Sequence, residues 1–299
     1  MAQVGVLVAA AGPTQYVTSP LLIAAYAVPY WLRARHLRRR GRPVPTWRLW
    51  CFGGGLALLL IAASPPFGAL ADRRFAWHMV EHLLIGDLAA LLVVLGLTGP
   101  LLAPVLRLPV VDRLRVLTHP VLAFALWALD LYLWHLPFAY QAALRHDTVH
   151  VLQHACFFIF GANLWMPLFG PLPKPAWFGN AAALAYIVVV RLTGTVLANV
   201  FVWAGTVFYP YYGAREAAHG ISALSDQSAA GAVMMVEQSV LTICLFGWLF
   251  MKVARDAEER QQLTELAGAR GVEIDERRVA RAVAAGRGDA LRRRILGEG

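Results

Sequence analysis

Residues 75–97 read FAWHMVEHLLIGDLAALLVVLGL. From Leu83 onward the run is almost wholly apolar. With its first turns it is long enough to cross the hydrocarbon of a bilayer, which takes about 20 helical residues. Those first turns nevertheless carry His78 and His82, four residues apart. On a helix that spacing puts both rings on one face, about 6 Å apart along the axis. A second stretch, HDTVHVLQHAC at residues 146–156, repeats the step with His146, His150 and His154. An imidazole facing hydrocarbon needs a polar partner. What that partner is depends on the kind of chain.

Hydrophobic types make up 59% of the 299 residues and charged types only 15%, against about 25% charged in ordinary soluble domains. This composition points to an all-α, polytopic membrane protein. The formal charge of +9 does not indicate nucleic-acid binding, because the basic residues sit in loops between apolar runs, where they set topology. Cys51, Cys156 and Cys244 are far apart and form no CxxC, which argues against a disulfide framework or a thiol-based zinc site. The first dozen residues have no basic n-region, so the first hydrophobic helix is expected to stay as an anchor.

Seven segments have the length and hydropathy of membrane spans: Ser19–Leu37, Trp47–Ala63, Phe75–Leu97, Pro120–Tyr140, Val149–Phe169, Asn180–Gly205 and Gln227–Met251. Pro29 and Arg33 weaken the first. SPPFG, LTGPLLAP and GPLPKP mark loops. Alternate loops differ in basic content. One set holds Arg33, Arg35, Arg38, Arg39, Arg40, Arg42, Arg48, Arg107, Arg113, Arg115 and Lys174; the other holds Arg73, Arg74, Arg145 and Arg215. The richer set is expected in the cytoplasm, with the N-terminus outside and the C-terminus inside. Residues 1–252 then form a seven-helix transmembrane domain. Residues 253–299 form a charged cytoplasmic tail of short helices with glycine breaks, in which ALRRRILGEG has the charge to touch anionic lipid.

This topology collects histidines at one membrane face. His78 and His82 enter on the third span, His135 leaves on the fourth, and His146, His150 and His154 enter on the fifth. The pairs His78/His82 and His150/His154 are each spaced to grip one ion, while His146 stands a turn higher, rotated by roughly 80° from His154. Asp226, Gln227, Met234 and Met235 reach the same face from the seventh span. Neutral imidazole suits copper, zinc, nickel and iron, and thioether from Met79, Met234 or Met235, or the thiol of Cys156, biases a site toward Cu(I). Glu81 lies between His78 and His82, either as support to a ligand or as a solvated carboxylate. Asp87, Asp130, Arg191 and Glu237 fall near the middle of their segments. Charges at that depth are expected to face inward, with Arg191 pairing with Asp87, Asp130 or Glu237, or to line a proton or ion path.

FAWHMVEHLL, THPVLAFALWALDLYLWHLPFAYQAAL, TVHVLQHACFFIFGANLWMPLFG and SDQSAAGAVM, in that order, resemble the seven-helix CtaG family of cytochrome c oxidase assembly factors over roughly residues 19–252. The resemblance implies a role in maturing a haem-copper oxidase in the bacterial cytoplasmic membrane, by binding and delivering copper. It implies an oxidase subunit and an extracytoplasmic copper donor as partners. Carried onto this chain, His78 and His82 match the HMxxH element, His135 matches WHxP, His150 and His154 match HxxxH, and Asp226, Gln227 and Met234 match the late DQxxxGxxM. The chain departs from the family pattern at Gln153, where a Glu is usual, and at Met235 and Glu237, where an aromatic and a proline are usual.

Three other readings use the same residues. One is a membrane metalloenzyme, hydrolytic or oxidative, with Glu81 as its carboxylate and zinc or iron as its metal. Another is haem held by opposed histidines. The third is a purely structural membrane subunit. A retinal protein would need a lysine in the middle of the last span, and Lys252 stands at its end.

Overall fold

The computed structural model describes residues 13–213, 220–284 and 286–298; Arg215 and His219 lie outside them. All regular structure among the described residues is helical. The helices are α1 (Pro13–Arg39), α2 (Thr46–Ala62), α3 (Pro65–Ala71), α4 (Phe75–Gly96), α5 (Gly99–Leu106), α6 (Pro109–Leu114), α7 (Pro120–Trp134), α8 (Pro137–Arg145), α9 (Asp147–Phe169), α10 (Asn180–Trp203), α11 (Ala223–Ala269), α12 (Glu276–Ala284) and α13 (Gly288–Leu296). The chain divides into two units, one of Met1–Gly179 with Val188–Ser239, the other of Asn180–Ile187 with Val240–Gly299.

Four helices, α4, α9, α10 and α11, are long and apolar enough to cross a membrane, and six spans result if each of two bent pairs counts as one. The pairs are α2 with α3, bent by 60°, and α7 with α8, bent by 71°. The expected span Pro120–Tyr140 is therefore broken rather than continuous. Proline explains the break. Pro137 opens α8, it has no N–H to continue α7, and it biases Leu136 away from helical dihedrals. The expected first span, Ser19–Leu37, lies inside α1 and is not among these six. Arg33, Arg35, Arg38 and Arg39 crowd its last turns.

In the first unit, charged and polar groups are buried among apolar ones, while many large apolar side chains face outward. His78, Glu81, His82, Asp87, Asp130 and Arg191 are buried, while Leu129, Leu152, Ile159 and Val196 are exposed. This arrangement suits a chain solvated by lipid, where buried charges must find one another. Two of the unit's close-packed regions lie along α4. Tyr30 of α1 stacks on Phe52 of α2 at 3.5 Å between ring centroids and donates from its hydroxyl to the Gly96 carbonyl at 3.1 Å. Earlier on α4, a Cβ added at Gly161 of α9 would collide with the Gly86 carbonyl oxygen, so the two backbones touch. Small residues permit such approaches between membrane helices. Gly86 itself lies in a π-helical turn of α4, Leu84–Ala89. This turn admits one extra residue per turn and contains Asp87.

In the second unit α11 continues unbroken through Lys252 to Ala269, so the charged segment from Val253 begins as helix. Lys252 Nζ donates to Asp256 Oδ2 at 2.8 Å and to Asn180 Oδ1 at 3.0 Å. Gly271, at φ +65°, then reverses the chain, and α12 and α13 fold back. Leu263 and Ala267 bury against Val279, Val283, Leu291 and Ile295 in a small core of their own.

Candidate metal centre

The first turns of α4 are set by a residue far away in sequence. Arg74 precedes the helix in extended conformation with no side-chain cap. Asp226 of α11 supplies one instead, its Oδ2 accepting the N–H groups of Phe75 at 2.6 Å and Ala76 at 3.4 Å. An anionic acceptor at a helix N-terminus satisfies orphan donors and complements the helix dipole. Gln227, next to it, holds the loop after α10. Its Oε1 accepts the Phe208 N–H at 2.9 Å, and its Nε2 donates to the Thr206 carbonyl at 3.0 Å. That loop brings Tyr209 and Tyr212 into an aromatic core with Phe75, Tyr140 and Phe201. Asp226 and Gln227 thus act as scaffolding for the site.

Against this scaffold stand four histidines from two helices. His78 and His82 of α4 and His150 and His154 of α9 each offer a ring nitrogen, and these four atoms lie within 4.8 Å of one another. Ring centroids are 4.4 Å apart for His78 and His82, 4.1 Å for His150 and His154, and 5.1 Å for His78 and His150. A tetrahedral centre with nitrogen at about 2.0–2.1 Å separates its ligand atoms by about 3.3 Å, so modest side-chain rotation closes the cage. The buried Nε2 atoms of His78, His82, His150 and His154 have no hydrogen-bond partner among the described residues. Buried imidazole nitrogens without partners are costly in an apolar setting. A cation that takes their lone pairs removes that cost, so the donor set fits a metal ion.

His78 Nδ1 lies 3.0 Å from the Tyr212 hydroxyl, an outer partner of the kind that orients a ligating ring. Tyr212 lies outside the spanning helices, and burial pushes its phenol well above the usual range, so the hydroxyl stays neutral. Glu81 is buried at 1% exposure rather than solvated. Its Oε1 is 3.9 Å from His154 Nε2, and neither of its oxygens has a hydrogen-bond partner among the described residues. It is placed to balance the charge of a cation in the cage.

His135 is not part of the four-histidine group. It sits in the break between α7 and α8, and its ring centroid is 6.2 Å from that of His82. Its Nδ1 is 2.7 Å from the Leu131 carbonyl. A carbonyl only accepts, so Nδ1 carries the proton and Nε2 the lone pair. Tyr209 donates its hydroxyl to the His135 carbonyl at 2.6 Å. His135, His82, Met79 and Met234 line a cavity of about 50 Å³ that reaches Asp87 and Gln238. His146 is exposed at the start of α9. Cys156 is partly buried and does not belong to the histidine group.

The buried charges form a separate cluster. Arg191 bonds Asp87 at 3.0 Å, lies 3.5 Å from Glu237, and stacks over Trp165 at 5.3 Å. Asp130 is buried apart from it.

Three residues at the site are not legible in the sequence. Tyr212 and Tyr140 carry no local signal, because aromatic residues in loops and short helices are common. Gln153 stands out there only as a departure from a pattern, yet it is wholly buried and neither amide atom has a hydrogen-bond partner among the described residues.

Comparison with known proteins bears on this geometry. The family model described as cytochrome c oxidase caa3 assembly factor matches residues 28–256, a range that contains every residue of the cage. Two uncharacterized proteins, from Mycobacterium bovis and Mycobacterium tuberculosis, are each 26% identical over 157 residues, covering 46% of this chain and 23% of theirs. The chain thus spans less than a quarter of the length of these relatives. No solved structure matches.

Proposed function

The chain belongs to the family of cytochrome c oxidase caa3 assembly factors, and from that premise we propose that it holds copper as cargo at His78, His82, His150 and His154 for delivery to a haem-copper oxidase. The observation that carries this reading is the group of four imidazoles with ring nitrogens within 4.8 Å of one another, each with a buried Nε2 that has no hydrogen-bond partner among the described residues. Imidazole binds copper in either oxidation state, and thioether selects Cu(I). Met79 and Met234, both buried beside His82, supply the soft, exchangeable donors that a carrier needs. Release requires a ligand that can be traded, and a second donor set next to the cage provides one.

The remaining elements follow the charge distribution. With α1 counted as a span the bundle has seven, the N-terminus lies outside, and the charged segment from Val253 onward lies in the cytoplasm. The cage then opens toward the extracytoplasmic side of the bacterial cytoplasmic membrane. There it meets a copper donor and the oxidase subunit that receives the ion.

One observation favours a second reading. A buried carboxylate, Glu81, stands 3.9 Å from a cage nitrogen, as a general base would in a membrane metalloenzyme using zinc or iron.

Metal content and absorption of the detergent-purified protein separate the two, with wild type beside His78→Ala/His82→Ala. Copper near one per chain, lost in the double variant and without a Soret band, supports the carrier. No copper in either sample after anaerobic Cu(I) loading overturns it. Zinc or iron retained instead moves the weight to the enzyme.

A further inference from the structure

The second unit carries a feature unrelated to copper. Val279 and Val283 of α12, and Leu291 and Ile295 of α13, point into the small core against Leu263 and Ala267. Each pair is spaced i, i+4, so burying it fixes the rotation of its helix. With those rotations set, Arg278 and Arg281 of α12 come to line one concavity with Arg287, Arg293 and Arg294. Gly286, at φ +63°, makes the turn that closes it. The concavity has a volume of about 760 Å³, and Glu298 is the one acidic side chain in its lining.

Five guanidinium groups against one carboxylate is an unbalanced arrangement. Among the described residues none of the five is in an ion pair, and the one side-chain hydrogen bond they make is from Arg281 Nε to the Arg277 carbonyl at 3.2 Å. Like charges held together repel, and the repulsion is relieved when an anion enters. The planar guanidinium fork matches phosphate oxygens in pairs, so arginine is the residue of choice for phosphate recognition. The volume lies within the roughly 300–1,000 Å³ of small-ligand sites.

Distance indicates the source of the phosphate. Within this unit the apolar part of α11 ends near Met251, and the near edge of the concavity, Arg287 beside Gly288, packs against Glu259, eight residues later. At 1.5 Å per residue that is about 12 Å. The headgroup layer adds only about 5–8 Å to each side of the hydrocarbon. The concavity therefore stands beyond the lipid phosphates for a helix near the membrane normal.

We propose that this concavity binds a soluble ligand bearing a pyrophosphate group, such as a nucleoside di- or triphosphate. A triphosphate of about four negative charges balances the lining. Lipid headgroups share the phosphate chemistry, so the test must separate the two sources.

The experiment is titration calorimetry on the full-length protein in nanodiscs of neutral phosphatidylcholine, with pyrophosphate and then ATP as probes. One saturable site per chain is expected. Binding should weaken at least tenfold in Arg281→Ala/Arg294→Ala and less in Arg281→Lys/Arg294→Lys, which keeps the charge and loses the fork. Arg270→Ala, outside the lining, should bind as wild type. Circular dichroism and thermal melting of each variant show whether the hairpin persists, and the lysine pair keeps the test open if the alanine pair unfolds. Absence of saturable binding overturns the proposal, as does equal binding by the alanine pair. If adding phosphatidylglycerol to the nanodiscs abolishes pyrophosphate binding to the wild type, the site belongs to lipid, and the proposal of a soluble ligand fails.

Discussion

Asp226 caps a helix whose first residue, Phe75, lies 151 positions earlier, accepting its N–H at 2.6 Å. The contact ties the start of α11 to the start of α4, three residues before the first cage histidine. Asp226→Ala removes an acceptor from a helix that has no cap of its own. A lost cap costs about 0.5–2 kcal/mol, so the melting temperature in detergent should fall. Asp226→Asn keeps an acceptor oxygen and loses the charge, and should fall less. Equal melting of both variants and wild type would show that the contact does not hold α4.

His82 and His135 should behave differently when removed, although both are buried and close together. His82 is one of the four grouped histidines proposed to hold the ion, while His135 stands outside that group. His82→Ala should therefore abolish stoichiometric metal binding. His135→Ala should retain it and change only how fast the ion leaves for an acceptor or chelator. Metal analysis with a stopped-flow chelator assay reads both. Equal loss of metal in the two variants would mean that His135 is a full member of the cage.

Tyr212→Phe deletes only the hydroxyl that faces His78 Nδ1 at 3.0 Å. Loss of an outer partner of a ligating histidine typically weakens metal affinity 10–100-fold. Competition against a chelator of known affinity should show a loss in that range with the fold intact. Unchanged affinity would mean that His78 is oriented by its packing alone.

Gly161→Leu should be poorly tolerated, because even a Cβ at that position meets the Gly86 carbonyl oxygen. Pushing α9 from α4 separates His150 and His154 from His78 and His82. The expected result is lower yield of folded protein and, in what remains, little bound metal. A Gly161→Leu protein with wild-type metal content would show that the cage does not depend on this approach.

The parts of this site differ in how far the sequence foretells them, for a physical reason. Spacing along one helix is local, so a separation of four positions from His78 to His82, or from His150 to His154, suffices to place each pair on one face. That the two faces meet is a matter of packing between α4 and α9, and depends on Gly86 and Gly161. The helical, membrane-spanning character is legible from composition. The bend at Pro137 is masked, because apolar character continues across the proline and favours one unbroken span, Pro120–Tyr140. The outer partners are least legible. Tyr212 comes from a loop, and Asp226 and Gln227 act across long sequence separations on backbone groups that no pattern advertises. Arg191 has three possible carboxylate partners in the sequence, and only geometry separates Asp87 and Glu237 from Asp130.

That cluster carries an imbalance with a measurable consequence. Two carboxylates face one guanidinium, with Asp87 at 3.0 Å and Glu237 at 3.5 Å, and all three side chains are nearly inaccessible. Removing the cation leaves two buried acids unpaired. Breaking a buried pair in this way costs about 3–5 kcal/mol, so Arg191→Gln should be strongly destabilised or fail to accumulate. Glu237→Gln removes the excess negative charge and keeps the shape, and should be neutral or more stable than wild type. Combining Arg191→Gln with Glu237→Gln should recover part of the loss, because one fewer acid is left stranded. Thermal melting and yield of the three variants in one detergent order them. If Glu237→Gln is as damaging as Arg191→Gln, the cluster needs both carboxylates charged, and neither of them is in excess.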